Sequence, residues 1–400
     1  MTIAIRPARE QDLDRLVDVH TGAYPDARGY ESRVRNFVQN PLGAFGDLRV
    51  LEVDGVLVAH AFLFRLGVWV GGACVPAAGI ASVGVAAEAR GRGLGSKLVE
   101  HLHAEAHARG DAFALLYPFR QAFYARLGYA PAASALRLRL HPASIPWRCA
   151  MRARTAEAGD LPAMKACWEA AARPATGRLA RGDGVWERRL ADERSTWLVV
   201  EGAGGVEGYV RWVLAQSEAH AATTLVVREL ASTTAEAERA LWGLVGAQRD
   251  QVAEVRVDVA ADAPVERALV DADRARFGHQ ELEHAVGDLA SGPMVRLLDV
   301  RRALASRGWP HDGSFALAVD DAAGAAVYEV VARDGSARVD PTLGPPDLRL
   351  DARALAAVAF GGLRPADAVR LGWASTPDAA ALARADALLA LPPYFSPDPF

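Results

Sequence analysis

The chain has 400 residues, 51% hydrophobic and 24% charged, with a mean hydropathy of +0.05; this is a folding composition, and at roughly 100 to 200 residues per domain it calls for more than one core. The formal net charge of -4 supplies no basic field for nucleic acid or anionic lipid and suits a cationic substrate better. Cys74, Cys149 and Cys167 stand at unrelated spacings, which suggests neither a disulfide framework nor a zinc site. No apolar run approaches the ~20 residues of a membrane span, and Met1 leads straight into a strand-like segment with no export signal, so a cytoplasmic protein is expected.

In chain order, Ile3–Arg6 reads as a strand and Glu10–Thr21 as an amphipathic helix, with a second helical stretch between Tyr30 and Asn40. Strands follow at Leu48–Val53 and Val56–Leu66, joined by the turn Asp54-Gly55. Gly79–Val85 has the continuous apolar character of a central strand, and a helical pattern runs from Gly95 to Arg109. A buried-type strand at Ala112–Tyr117, a short helix at Arg120–Leu127 and a strand near Ala135–Leu140 complete a first unit.

A weak internal repeat begins a second unit, since Ile5-Arg6-Pro7-Ala8-Arg9-Glu10-Gln11-Asp12-Leu13 is echoed by the segment Arg152 to Leu161. Strands are expected at Trp197–Val200, Gly208–Leu214 and Thr223–Leu230, then a helix at Thr234–Gln248. From about Arg296 a third α+β unit opens, with a helix at Val300–Ser306, strands at Ser314–Val319, Ala325–Ala332 and Asp347–Leu350, and helices through Leu391. Pro392-Pro393 ends that helical run, so the tail Tyr394 to Phe400 must run extended.

Two motifs carry chemistry. Arg90-Gly91-Arg92-Gly93-Leu94-Gly95-Ser96 follows a continuous strand and opens a helix, the placement in which free backbone N–H groups and the helix dipole cradle phosphates. Glycine permits positive φ and close approach there, and the two arginines add charge. The second motif is Phe123-Tyr124-Ala125-Arg126-Leu127-Gly128-Tyr129. Tyr124 is a candidate general acid, protonated at neutral pH because a phenol titrates near 10, while Tyr129 reads as a core aromatic. His101, His103 and His107 read as a solvated helix face, and no metal site is expected.

This order and these motifs resemble the GNAT acetyltransferases, and over the whole length the chain resembles their Eis (enhanced intracellular survival) branch. That branch enters its third domain through a segment similar to Val295 to Trp309. The resemblance implies an α/β (α+β) fold of tandem GNAT units, at residues 1–145 and, degenerate and without a glycine loop, 146–290. A sterol-carrier-protein-like unit would follow at 291–400. It further implies acetyl-CoA as co-substrate, with Val83, Gly84 and Val85 meeting the pantetheine arm and acetyl carbonyl, and Arg90 to Ser96 meeting the pyrophosphate. Tyr124 would protonate the departing thiolate. The α-carboxylate of Phe400, inserted into the first unit, would take the proton of the amine. Tyr24 and Asp26 fall where such enzymes bind the acceptor, a small amine of aminoglycoside or polyamine type. Family members assemble as closed oligomers, commonly hexamers. Pro118-Phe119-Arg120-Gln121-Ala122 is bulkier than the usual small stretch before the tyrosine, which points to a different acceptor pocket. The competing reading is a lipid-binding or scaffold protein in which the first unit only senses acetyl-CoA.

Overall fold

A computed structural model describes residues 1–26, 28–216, 223–270, 285–321 and 324–400. The first unit holds β1 Ile3–Pro7, α1 Leu13–Ala23, α2 Tyr30–Val38, β2 Leu48–Val53, β3 Val56–Val70 and β4 Ala73–Val85. It continues with α3 Leu94–Ala108, β5 Phe113–Leu116, α4 Gln121–Ala125 and β6 Ala130–Pro131. The β2–β3 turn places Asp54 and Gly55 at φ 49° and 82°, the left-handed pair whose twist matches that of the flanking strands. The hairpin of β3 and β4 is longer than expected from sequence, turning at Gly71-Gly72. Glycines at 67, 71 and 72 interrupt the β-branched run that signals a strand.

The second unit comprises β7 Ser134–Leu140, β8 Arg152–Thr155, α5 Leu161–Ala172, β9 Leu179–Ala180, α6 Asp183–Leu190 and β10 Ser195–Gly202. It closes with β11 Gly205–Gln216, β12 Thr223–Ser232, α7 Ala235–Gly246, β13 Glu254–Ala260 and β14 Gly287–Ser291. Its sheet runs β14-β7-β13-β12-β11-β10-β8. The strand read from sequence as the end of the first unit, β7, therefore lies in the second sheet, because Leu138 and Leu140 are buried in that unit's core. The internal repeat has a physical counterpart. Arg6 pairs with Asp12 at 2.7 Å and also with Glu52, and Arg154 pairs with Asp160 at 2.6 Å and with Glu201 at 2.7 Å. In both units an arginine of an edge strand, β1 or β8, ties the helix entry to the neighbouring strand.

The chain then returns to the first sheet as β15 Met294–Leu297, giving the order β1-β2-β3-β4-β5-β15-β6 with β9 attached to β3. The third unit contains α8 Val300–Ser306, β16 Gly313–Asp321, β17 Gly324–Arg333, β18 Ser336–Pro341, β19 Leu348–Asp351, α9 Ala352–Ala359, α10 Pro365–Arg370, β20 Ala374–Ser375 and α11 Ala379–Leu389. Strand β18 was not expected from sequence. One continuous core joins the first and third units, with Phe113 and Phe360 in ring contact at 4.2 Å. No helix among the described residues is long and apolar enough to cross a membrane.

The two units also meet at Gly308, whose N–H donates to the Val70 carbonyl at 2.9 Å. A Cβ at this position would run into the carbonyl oxygen of Gly71. Gly308→Val is therefore expected to force the β3–β4 hairpin away from the third unit and to cost about 2 kcal/mol or more; denaturant unfolding measures it, and an unchanged midpoint would contradict the packing.

Candidate active site

β4 and β5 pair in parallel at Ala77–Phe113, Ala78–Ala114 and Gly79–Leu115, and the pairing ends there. Beyond Gly79, β4 runs on for six more residues to Val85, so a gap opens between the two strands. Within that stretch β4 bulges: Ala81 to Gly84 spans three steps while its partners Phe62 and His60 span two, and Ser82 takes φ 51°. A bulge re-aims the backbone at a strand end. Here the Val83 carbonyl accepts a hydrogen bond from the Tyr24 hydroxyl at 3.1 Å.

At the far end of β4 comes the glycine loop. Gly91 and Gly93 stand at φ 76° and 74°, where a side chain would be strained. Gly93 caps α3 and no side chain satisfies the helix's first N–H groups, so they are available to an anion, with the positive end of the dipole behind them. Arg90 is partly committed: it donates to the Val85 carbonyl at 3.1 Å and to the Gly22 carbonyl at 2.7 Å, closing the loop onto the end of α1. Arg92 is exposed.

On the β5 side, α4 holds Tyr124 at 2% exposure among Phe119, Phe123 and Tyr129, with ring centroids 5.0 to 5.8 Å away. Burial pushes its phenol well above the ordinary value of 10, and Tyr24 adds to the rise, so the hydroxyl carries its proton at neutral pH. Tyr129 is fully buried, as read from sequence. His103 is not on a solvated face: it is buried and its Nε2 lies 2.8 Å from the Tyr129 hydroxyl, while His107 is exposed. Phe119 is 67% exposed beside the gap.

The terminal segment does run extended, and it crosses the molecule. Tyr394 bridges to Ala133 and Thr176, and the Phe395 N–H donates to the Thr176 carbonyl at 2.9 Å. Phe400 ends in the gap of the first unit: its ring centroid is 5.2 Å from that of Tyr117, and a Cβ on Gly79 would lie 3.4 Å from its Cδ2. The last paired residue of β4, Tyr24 on Val83 and Phe400 thus all belong to the parting of β4 from β5, and Tyr124 stands on the helix that follows β5. The Asp26 carboxylate is held by Arg28 and, at 2.8 Å, by Arg33, which keeps it at about 2.

Three groups of residues went unmarked in the sequence. Tyr117 supports the Phe400 ring, and its hydroxyl donates to the Asp398 carbonyl at 3.3 Å. Asp398 itself is buried in ion pairs with Arg181 and Arg189. His20 and His60 lie under the bulge, with ring centroids 5.4 Å apart and His20 stacked on Tyr24 at 4.6 Å.

Comparison with known proteins places these features in a family. Residues 4–132 match the acetyltransferase (GNAT) domain, residues 177–297 match a second acetyltransferase (GNAT) domain, and residues 300–396 match the sterol carrier protein domain. An uncharacterised N-acetyltransferase of Streptomyces coelicolor is 30% identical over 345 residues, 79% of each chain. The N-acetyltransferase Eis of Mycobacterium tuberculosis is 25% identical over a 419-residue alignment covering 98% of this chain and 97% of that one. The chain belongs to the Eis family of N-acetyltransferases. The crystal structure of Eis1 from Mycobacterium abscessus superposes with a TM-score of 0.80 at 26% identity over all of both chains. Like its Eis relatives, the protein is an acetyltransferase with tandem GNAT units and a sterol-carrier-like third unit. GNAT acetyltransferases use acetyl-CoA. Among the described residues no group of three or more His, Cys, Asp or Glu is placed to hold a metal ion.

The histidine pair sets a pH dependence. Desolvation is the main cause holding His20 at about 4 and His60 at about 3, below the ordinary 6.5, with Arg33 reinforcing it at His20 and His20 reinforcing it at His60. Between pH 6.5 and 4 the unfolded chain binds protons that the folded chain refuses, so stability falls as pH falls. The thermal midpoint is expected to drop across that window, and to drop less steeply in His60→Leu. Equal slopes for both proteins would contradict the buried neutral pair.

Proposed function

We propose that the chain transfers the acetyl group of acetyl-CoA directly to the amino group of a small cationic amine of aminoglycoside or polyamine type. The observation that supports this reading is the seating of Phe400 against Gly79 and Tyr117 where β4 and β5 part, next to a glycine loop that offers uncapped helix N–H groups and that α4, the helix of Tyr124, approaches through Phe123, whose ring would lie 3.7 Å from a Cβ on Gly95. In it, Gly91, Gly93, Leu94, Gly95 and Ser96 give backbone N–H groups to the pyrophosphate, Arg92 adds charge, and Arg90 closes the loop. Val83, Gly84 and Val85 run beside the pantetheine arm, and backbone donors near Val83 meet the oxyanion.

An ammonium is not nucleophilic, so its proton must leave before or during attack. The α-carboxylate of Phe400 takes it. The amine nitrogen bonds to the acetyl carbon, the carbon–sulfur bond breaks, and Tyr124 gives its proton to the thiolate. Tyr24 braces the bulge through Val83. Asp26, whose charge Arg28 and Arg33 already meet, orders the segment behind Tyr24 rather than holding the ammonium. In the same proposal residues 1–145 form the catalytic unit, 146–290 the degenerate unit and 291–400 the unit that delivers the tail, with strands exchanged across those limits. The assembly is a homo-oligomer, a hexamer by family likeness, in the cytoplasm, acting without nucleic acid or membrane.

Adding two residues after Phe400 is expected to lower kcat about 100-fold, the lower end of what a positioned base contributes, while acetyl-CoA binding by calorimetry stays unchanged; full turnover would remove the carboxylate from the mechanism. Tyr124→Phe is expected to cut coenzyme A release by a similar factor, and wild-type rates would remove the general acid. Gly93→Val, forcing a β-branched residue to φ 74°, is expected to raise the KM for acetyl-CoA with less effect on kcat. A kcat loss at constant KM would mean the loop does not bind the cofactor.

A further inference from the structure

The second unit repeats the strand geometry of the first. β12 and β13 pair in parallel from Thr224–Glu254 to Val227–Val257, then part, while β12 continues to Ser232 and β13 to Ala260. Where the first unit has its glycine loop, this one has Leu230-Ala231-Ser232-Thr233-Thr234, and the Thr234 hydroxyl accepts from the Ala237 N–H, so the helix that follows is capped from within. A cavity of about 260 Å³ remains between the parted strands, and two of its walls are Phe395 and Pro397 of the terminal segment.

We propose that this vestigial cleft is the receptor for the chain's own terminal segment, and that Arg181 and Arg189 position Phe400 by holding Asp398. Glu229, two residues past the last parallel pair of β12, is 3% exposed and accepts from Arg181 at 2.6 Å, from Arg189 and from the Tyr209 hydroxyl. The same two guanidinium groups hold Asp398, itself 2% exposed, Arg181 at 2.8 Å. Arg181 is sandwiched against the Trp168 ring, and its side chain has no solvent exposure. With Arg178, which lines the same cleft and feels both carboxylates, three cations stand around two carboxylates. One of the two carboxylates comes from the tail, so an undocked tail leaves these arginines facing Glu229 alone, a state that costs far more than the pair gains at a surface.

The anchor acts on the active site through chain length. Phe400 is two residues beyond Asp398, and two extended residues span at most about 7 Å, so fixing the Asp398 side chain in the second unit confines Phe400 to the gap of the first. Tyr117, whose hydroxyl meets the Asp398 carbonyl and whose ring meets Phe400, bridges the two. The degenerate unit has thus exchanged a cofactor for a peptide ligand. Arg181, Arg189 and Asp398 are positioning residues, and their effect on turnover rests on the reading that Phe400 carries the proton acceptor.

The test compares the full-length protein with Asp398→Asn, Asp398→Glu and Arg189→Gln by hydrogen–deuterium exchange of the segment 394–400, steady-state kinetics and thermal melting. Removing one partner of a buried charge pair is expected to speed exchange at the Phe395 amide about 30-fold or more and to lower kcat while the KM for acetyl-CoA holds. Asp398→Glu is expected to recover part of both. Should Asp398→Asn not fold, Arg189→Gln, at a position 12% exposed, carries the same comparison. A tail that stays protected in the neutralised variants overturns the proposal. A released tail with unchanged kcat upholds the receptor and instead sinks the role given to the Phe400 carboxylate.

Discussion

The parting of β4 from β5 after Gly79 and Leu115 is the constraint on which the rest of the molecule depends. Two parallel strands that stop pairing expose backbone groups that must find partners, and around the opening stand a bulge braced by Tyr24, a helix N-terminus without a side-chain cap and the end of the chain, with a buried phenol on the helix that follows β5. Because α3 starts from the loop after β4 and α4 follows directly on β5, the same event that makes room for a thioester sets the distance between the anion cradle and Tyr124.

The other two units serve this gap from outside. The third shares a continuous core with the first, so the polypeptide leaving α11 starts its return from a rigid base. The second builds its own core and grips the returning segment with a cluster of buried charges. Strand exchange ties the units together: β7 leaves the first unit for the second sheet, β15 comes back beside β5, and β9 attaches to β3. The two GNAT units carry matched Arg6–Asp12 and Arg154–Asp160 pairs, and in the proposed reading one handles the cofactor and the other the tail.

Local signals were legible in the sequence where one short stretch carries the whole cause. Asp54-Gly55 needs only its own backbone preferences, and the loop from Arg90 to Ser96 is defined by the strand before it and the helix after it. Tyr124 and Phe400 are singled out through resemblance, and the structure buries the first and seats the second at the strand gap. What could not be read depends on partners far along the chain. His103 and His107 share a helix face by spacing, yet Tyr129 covers only the first. The alternation of Leu136, Leu138 and Leu140 marks a strand but not which sheet receives it. Asp398 in Ser396-Pro397-Asp398-Pro399 looks like a surface acid until Arg181 and Arg189, more than 200 residues away, are brought to it.

The account turns on the charge at the end of Phe400, and replacing that α-carboxylate by a carboxamide through semisynthesis of the full chain tests it most directly. The phenylalanine ring, its contact with Tyr117 and the Asp398 anchor are all kept. With acetyl-CoA and a polyamine and aminoglycoside panel, the account predicts that coenzyme A release falls about 100-fold while acetyl-CoA affinity and the melting temperature stay where they are. Turnover equal to that of the native chain would contradict it.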